Sequence, residues 1–359
     1  MTSKYQHLID LNDYPVSWWN KLLCLGQDIC RNPGRYHGAC TDKILATLFY
    51  EPSTRTQMSF QTAMLRLGGT IIGFDNPATS SVSKGENLKD TTKIVSGYAD
   101  VLVIRHPQEG TAKAAALSAD CPVINAGDGG HLHPTQTLTD MLTLTEEKGR
   151  LDNLVIGLCG DLMNGRTVHS LCKALSSYKN NRFVLISSKE LKLPSYVKDI
   201  LSANGCSYKE VFSLEEAIPE LDVLYMTRIQ RERFASTEDY EAQKNIYVLD
   251  KAKMKLAKSD LIVLHPLPRV DEIAVEVDDD PRALYFKQAK YGVFIRMALI
   301  LTMIENKTPF QLLSGTTHKN ICCSNPKCIT NTEKYLPKSF ITSGDIIECE
   351  YCDERMLLR

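Results

Sequence analysis

The chain has 359 residues, 43% of them hydrophobic, with 42 basic and 43 acidic side chains and a formal charge of −1. That length exceeds one ordinary core and favours two domains with a small appendage. The balanced charge excludes the broad basic footprint of nucleic-acid or membrane-surface binding. The first residues lack the apolar stretch of a secretory leader, and no run of about 18 apolar residues follows. A cytoplasmic enzyme with no membrane and no nucleic-acid partner is expected, and cysteines such as Cys159 and Cys172, set in apolar contexts, read as reduced thiols.

Along the chain, Ile44–Tyr50 reads as a buried strand stopped by Pro52, and Phe60, Met64 and Leu67 repeat at helical spacing until Gly68-Gly69. Between strand and helix, Ser53-Thr54-Arg55-Thr56 puts capping hydroxyls, first-turn amides and a guanidinium at the positive end of a helix dipole. Such a turn suits a phosphate, although the same residues would also serve a plain capped helix. Apolar runs at Val101–Ile104, Leu154–Cys159, Phe183–Ile186, Val223–Met226 and Leu261–Leu264 alternate with helix-length segments, the pattern of parallel sheets covered on both faces. His133-Pro134-Thr135 opens a helix to about Glu147, and a second helical pattern spans Tyr285–Ile304. Periodicity then fails over Asn306–Asn320, which reads as a linker to a cysteine-rich tail.

The fold class is therefore α/β, with two doubly wound parallel-sheet domains and a small four-cysteine, zinc-ribbon-like β domain. The expected divisions are 1–133 with 285–306 returning to it, an interdomain helix over 134–150, a second domain over 151–284, a linker over 307–319 and a metal domain over 320–359.

Further polar clusters stand at strand ends, where open α/β sheets bind ligands. They are Arg105-His106-Pro107, His133-Pro134-Thr135-Gln136, Gly160-Asp161-Leu162 through Thr167, Thr227-Arg228-Ile229-Gln230 and His265-Pro266-Leu267-Pro268-Arg269. Each alone is an ordinary loop or cap. Together they would concentrate cations and amide donors in one cleft, which favours a multiply anionic substrate. Gly157-Leu158-Cys159-Gly160 lacks the spacing of a dinucleotide turn, so a dehydrogenase fits poorly.

Phe49-Tyr50-Glu51-Pro52-Ser53-Thr54-Arg55-Thr56, Arg105-His106-Pro107-Gln108, His133-Pro134-Thr135-Gln136, Gly165-Arg166-Thr167-Val168-His169-Ser170 and His265-Pro266-Leu267-Pro268 resemble the aspartate carbamoyltransferase family from about residue 5 to 306. Ornithine carbamoyltransferases share the Ser-Thr-Arg-Thr turn but typically read His-Cys-Leu-Pro at the last motif. The resemblance implies carbamoyl transfer from carbamoyl phosphate to L-aspartate in pyrimidine synthesis, with no catalytic metal or organic cofactor. It places carbamoyl phosphate in residues 1–133 and aspartate in 151–284.

By the same resemblance Ser53, Thr54, Arg55 and Thr56 hold the phosphate, and Arg105 reaches phosphate and carbonyl oxygen. His133 and Thr56 polarise the carbonyl, Gln136 holds the carbamoyl NH₂, and the backbone carbonyls of Pro266 and Leu267 accept from nitrogen. Arg166, Thr167, Arg228 and Gln230 meet the aspartate, and the planar guanidinium fork suits a carboxylate. Lys84, with Ser80 or Ser81, implies a loop that enters a neighbouring subunit's site, hence a homotrimer with shared active sites. The attack builds charge on the carbonyl oxygen, which fixed donors stabilise better than reorienting water.

One departure is Gln57 and Gln61, where the family commonly carries an arginine and a glutamate. Their spacing predicts an amide pair on one helix face. In the tail, Cys323-x4-Cys328 and Cys349-x2-Cys352 fit one structural zinc, with Cys322 an alternative first ligand. These segments resemble the zinc-binding domain of the family's regulatory chain. A nucleic-acid adaptor or scaffold is the alternative, but Asp345, Glu348, Glu350, Asp353 and Glu354 beside the second pair disfavour a phosphate backbone. With so short a linker there is no room for a nucleotide-binding domain, so a separate regulatory chain is not expected.

Overall fold

A computed structural model describes residues 1–229, 236, 238, 240, 246–306 and 308–358. The chain divides into two compact units, Met1–Thr135 with Val293–Arg359, and Gln136–Gly292.

The first unit is built on four parallel strands, β1 (Ile44–Phe49), β2 (Thr70–Phe74), β3 (Val101–His106) and β4 (Val123–Asp128), in the order β2-β1-β3-β4. The central pair is an apolar run because both faces are covered; Leu45, Ala46, Phe49 and Val101 through Val103 have no exposed surface. Helix α1 (Thr54–Arg66) packs Phe60, Ala63 and Met64 against the sheet, and full burial of one such side chain contributes roughly 2–3 kcal/mol. An amphipathic N-terminal helix, Val16–Arg31, buries Trp19, Leu22, Leu23 and Ile29.

The second unit carries five parallel strands, β5 (Val155–Cys159), β6 (Arg182–Ile186), β7 (Ser207–Val211), β8 (Val223–Met226) and β9 (Ile262–Leu264), in the order β9-β8-β5-β6-β7. Helix α2 (Pro134–Lys148) and helix α3 (Tyr285–Glu305) each run across a unit boundary.

The tail belongs to the first unit and forms an antiparallel sheet, β10 (Thr316–Thr317), β11 (Ser339–Ser343), β12 (Ile346–Cys349) and β13 (Arg355–Leu357). The expected linker is partly ordered into strands. Phe310–Gln311 pairs with Thr2–Ser3, and Thr316–Thr317 joins the tail sheet.

Among the described residues no helix is long and apolar enough to cross a membrane, and none of the twelve cysteines is in a disulfide.

Candidate active site and metal centre

The strand β1 ends one residue before Tyr50, whose amide donates to Arg105 O at 2.8 Å, so the Ser53–Thr56 turn starts beside Arg105. Ser53 caps α1 without a side-chain hydrogen bond to the helix, which leaves the first-turn amides for a ligand. Thr56 is buried and Arg55 exposed. The Arg105 side chain is held by Glu51 Oε1 at 2.5 Å and donates to Ala126 O at 3.1 Å. Burial lowers the pKa of the Arg105 guanidinium, Glu51 opposes that shift, and neighbouring Arg55 reinforces it. Two cations thus share a partly desolvated turn, an arrangement that an anion relieves. His133 is buried immediately before α2, behind Leu132, whose amide donates to Asp128 Oδ1 at 3.0 Å.

In the second unit a carboxylate that carried no sequence signal organises three of the expected segments. Buried Asp140 accepts from Gln136 Nε2 at 2.7 Å and Gln288 Nε2 at 2.6 Å through Oδ1, and from Tyr225 OH at 2.9 Å through Oδ2. Since the Gln136 amide donates to Asp140, its Oε1 is left as the acceptor, the polarity needed to hold an NH₂ group. Gln288 Oε1 in turn accepts from His265 N at 3.0 Å. His265 Nε2 bonds Glu272 Oε1 at 2.7 Å, and its Nδ1 accepts from Leu267 N at 2.7 Å. Those bonds hold Leu267 at φ +54°, a backbone state that costs a branched residue of its size about 1–3 kcal/mol. Pro266 and Leu267 are both half-buried.

The turn before Arg166 is shaped by buried Asp161, which accepts from Asn164 N at 2.9 Å, and by His169 Nε2 at 2.8 Å from Leu162 O. Gly160 sits at φ +116°, where a Cβ would fall 2.4 Å from Thr227 O, so two candidate loops touch there through backbone alone. Arg166 and Thr167 open the helix Arg166–Ser176. Arg228 is half-buried just beyond β8, whereas Gln230 lies outside the described residues.

Ser80 and Lys84 stand in a loop folded on itself. Ser80 Oγ donates to Pro77 O at 2.8 Å and accepts from Val82 N at 3.3 Å, while Ser81 and Lys84 are exposed. Gln57 and Gln61 do not pair as expected. Gln61 Nε2 instead reaches Thr47 Oγ1 at 3.4 Å, because its face of α1 turns toward β1.

The four tail thiols Cys323, Cys328, Cys349 and Cys352 are buried, with all ligand atoms within 4.8 Å of one another. Sulfur separations of 3.5 Å (Cys323 to Cys352) and 3.8 Å (Cys328 to Cys349) match the ~3.8 Å edge of a tetrahedron with ~2.3 Å metal–sulfur bonds. Cys322 is exposed, takes a bond from Lys338 Nζ at 3.0 Å and stands outside the cluster. Most of the tail's acidic groups are engaged within the chain. Buried Glu350 accepts from Ser314 N at 2.8 Å, Gly315 N at 3.1 Å and Ser339 Oγ at 2.6 Å. Burial alone would raise its pKa, and these donors hold it below the ordinary carboxylate value. Glu348 pairs with Arg355, Glu354 with Ser324, and Asp353 with His131.

Residues 6–146 match the model of the aspartate/ornithine carbamoyltransferase carbamoyl-P binding domain, and 152–303 that of the Asp/Orn binding domain. Residues 317–357 match the metal binding domain of the aspartate carbamoyltransferase regulatory chain. The aspartate carbamoyltransferase catalytic subunit of Clostridium perfringens is 60% identical over 302 residues, which cover 84% of this chain and 98% of that protein. That of Clostridium novyi is 58% identical over 299 residues, 83% of this chain and 98% of that one. The catalytic subunit of M. jannaschii aspartate transcarbamoylase superposes with a TM-score of 0.79 at 46% identity, covering 84% of this chain and 98% of that one. Aspartate transcarbamoylase from Trypanosoma cruzi, solved with carbamoyl phosphate and aspartate, gives 0.77 at 37% identity over 83% and 95%. The chain belongs to the aspartate carbamoyltransferase family, as a catalytic chain that continues into a regulatory-chain metal-binding domain.

Proposed function

We propose that the chain is an aspartate carbamoyltransferase, moving the carbamoyl group of carbamoyl phosphate to the amino group of L-aspartate to give N-carbamoyl-L-aspartate and phosphate in pyrimidine synthesis. The observation that carries this reading is the Ser53–Thr56 turn against Arg105, in a chain 60% identical to a catalytic subunit of that name.

In this reading the first-turn amides, Ser53, Thr54 and Arg55 grip the phosphate. Arg105, Thr56 and His133 take the charge that builds on the carbonyl oxygen as the amine attacks, and expulsion of phosphate completes a direct transfer. Fixed donors of this kind are worth about 10²–10³ in rate each. Gln136, oriented by Asp140, holds the carbamoyl NH₂, and the Pro266 and Leu267 carbonyls accept from the nucleophile and that nitrogen. Arg166, Thr167, Arg228 and Gln230 receive the aspartate carboxylates. Lys84 and Ser80 serve the site of a neighbouring chain in a trimer, a role consistent with an exposed lysine on a loop that satisfies its own backbone.

The four cysteines hold one structural zinc, whose tetrahedral thiolate preference their spacing suits. The tail, covalently present at high effective concentration, excludes a separate regulatory chain, and the enzyme works in the cytoplasm. Assays that offer aspartate and ornithine side by side test the main reading. Carbamoyl aspartate alone is expected, and citrulline as the main product would overturn it.

A further inference from the structure

The tail is bound to the two loops that carry Arg105 and His133, and each cysteine pair contributes one polar side chain to that contact. In the first knuckle Asn325 O accepts from Cys328 N at 3.0 Å and its Oδ1 from Lys327 N at 2.9 Å, which aims Nδ2 at Glu109 Oε2, 2.6 Å away. Glu109 is four residues past Arg105. Its backbone is locked on both sides, its N–H to Lys327 O at 3.0 Å and its carbonyl to Ile329 N at 2.9 Å. The other oxygen of its carboxylate accepts from Gly130 N at 3.2 Å, so one side chain ties the knuckle to the loop ahead of His133.

The second knuckle repeats the device. Asp353 N donates to Cys349 O at 2.9 Å, and its carboxylate bonds His131 Nε2 at 3.0 Å. His131 Nδ1 meets Asp128 Oδ2 at 3.1 Å, and that same oxygen accepts from Gly110 N at 2.8 Å on the Arg105 loop. The fit is close at the backbone as well, since a Cβ at Gly110 would fall 2.7 Å from Tyr351 O.

We propose that Asn325 and Asp353 are positioning residues for carbamoyl phosphate: through Glu109 and His131, the two cysteine knuckles set the loops that present Arg105 and His133. The inference rests on the carbamoyl-transfer reading above. None of the four touches substrate in this account, so their loss shifts carbamoyl phosphate binding rather than the capacity for turnover.

The test uses two double variants of the full chain, Asn325→Ala with Asp353→Gly, and Glu109→Gln with His131→Asn. Glycine suits the positive φ of +59° at 353. Arg355→Ala, which breaks only the bond to Glu348, is the control. Formation of carbamoyl aspartate by the parent is checked first, and its failure refutes the parent reading and not this one alone. With metal content retained, each double variant should raise the Kd for carbamoyl phosphate about three- to tenfold, as expected for one or two lost hydrogen bonds. The KM for aspartate and kcat at saturating carbamoyl phosphate should stay within twofold, and amide exchange should quicken over residues 106–110 and 129–133. If the first pair loses its metal, the second pair, whose substitutions lie outside the knuckles, decides the matter. A Kd within twofold of the parent in a metal-loaded double variant overturns the proposal.

Discussion

The parallel sheet of the first unit and the antiparallel tail beside it are held together by different physics. In the sheet, β1 and β3 are apolar runs buried on both faces, and the fold follows from removing Leu45, Phe49, Val101 and their neighbours from water. The tail buries Phe340, Ile347, Tyr351 and a few others. About 40 residues supply too little apolar area to fold alone. Its remaining order comes from four convergent thiols and from Glu350, whose buried carboxylate collects the amides of Ser314 and Gly315. One region is therefore stabilised by its pattern of hydrophobic residues and the other by its pattern of ligands, and the two should fail under different insults.

The largest effect expected falls on the chemistry, all of it in the α/β units. Arg55→Ala should reduce carbamoyl phosphate turnover by about 10²–10³, while Arg228→Ala mainly raises the KM for aspartate. Steady-state kinetics with each substrate varied separates them. Equal aspartate affinity in parent and Arg228 variant would remove Arg228 from the acceptor site.

Next in size is Asp140→Ala, which strands donors from Gln136, Gln288 and Tyr225 in the interior of the second unit. A loss of about 3 kcal/mol in denaturant unfolding is expected. The tail's metal content should be unaffected. A loss under about 1 kcal/mol would show that the carboxylate is replaceable by water and does not organise the loops.

A more graded contrast, smaller for each group taken singly, lies in acid. His7 Nδ1 accepts from Val123 N and His106 Nδ1 from Gln108 N, both at 3.0 Å, and burial pushes each pKa down to about 4. These folded values lie below the unfolded value near 6.5, so the unfolded chain binds more protons between pH 6.5 and 4 and stability falls as pH drops through that window. The loss is about 2 kcal/mol for each histidine by about pH 5. The tail should loosen on acidification by another route, since protons compete with metal for the thiolates. Added zinc should then restore the tail and leave the body's acid sensitivity unchanged. Equal rescue of both regions would erase the distinction.

What could be read from the sequence follows the same division. The central strands Val101–His106, Val155–Cys159 and Val223–Met226 announced themselves as apolar runs, and the four zinc-spaced cysteines by their intervals. One edge strand, Ile262–Leu264, was legible in the same way, but two others were silent. Ser207–Val211 exposes most of its length, and Thr70–Phe74 is interrupted by Gly73 at φ +136°. Phe310–Gln311 and Thr316–Thr317 were read as linker because two-residue strands have no periodicity; their partners, Thr2–Ser3 and Ser339–Phe340, are distant or later in sequence. The motifs named the groups proposed to touch substrate, whereas their supports went unseen. Asp140 is one polar residue within a helix, while Asp128 ends a strand and His131 follows it with no spacing that sets them apart. Such residues act through partners brought close only by the fold. The expected Gln57–Gln61 pair failed for a related reason, because helical spacing ignores the Thr47 hydroxyl that the sheet places nearby.

The division of labour between body and tail is tested most directly by removing the metal with a chelator and following one sample by hydrogen exchange and by activity. The account predicts that exchange rises sharply over residues 317–357 and modestly over 106–110 and 129–133, while kcat at saturating carbamoyl phosphate and aspartate stays within about twofold. Unchanged exchange in the tail after the metal has gone, or collapse of kcat at saturating substrates, would contradict it.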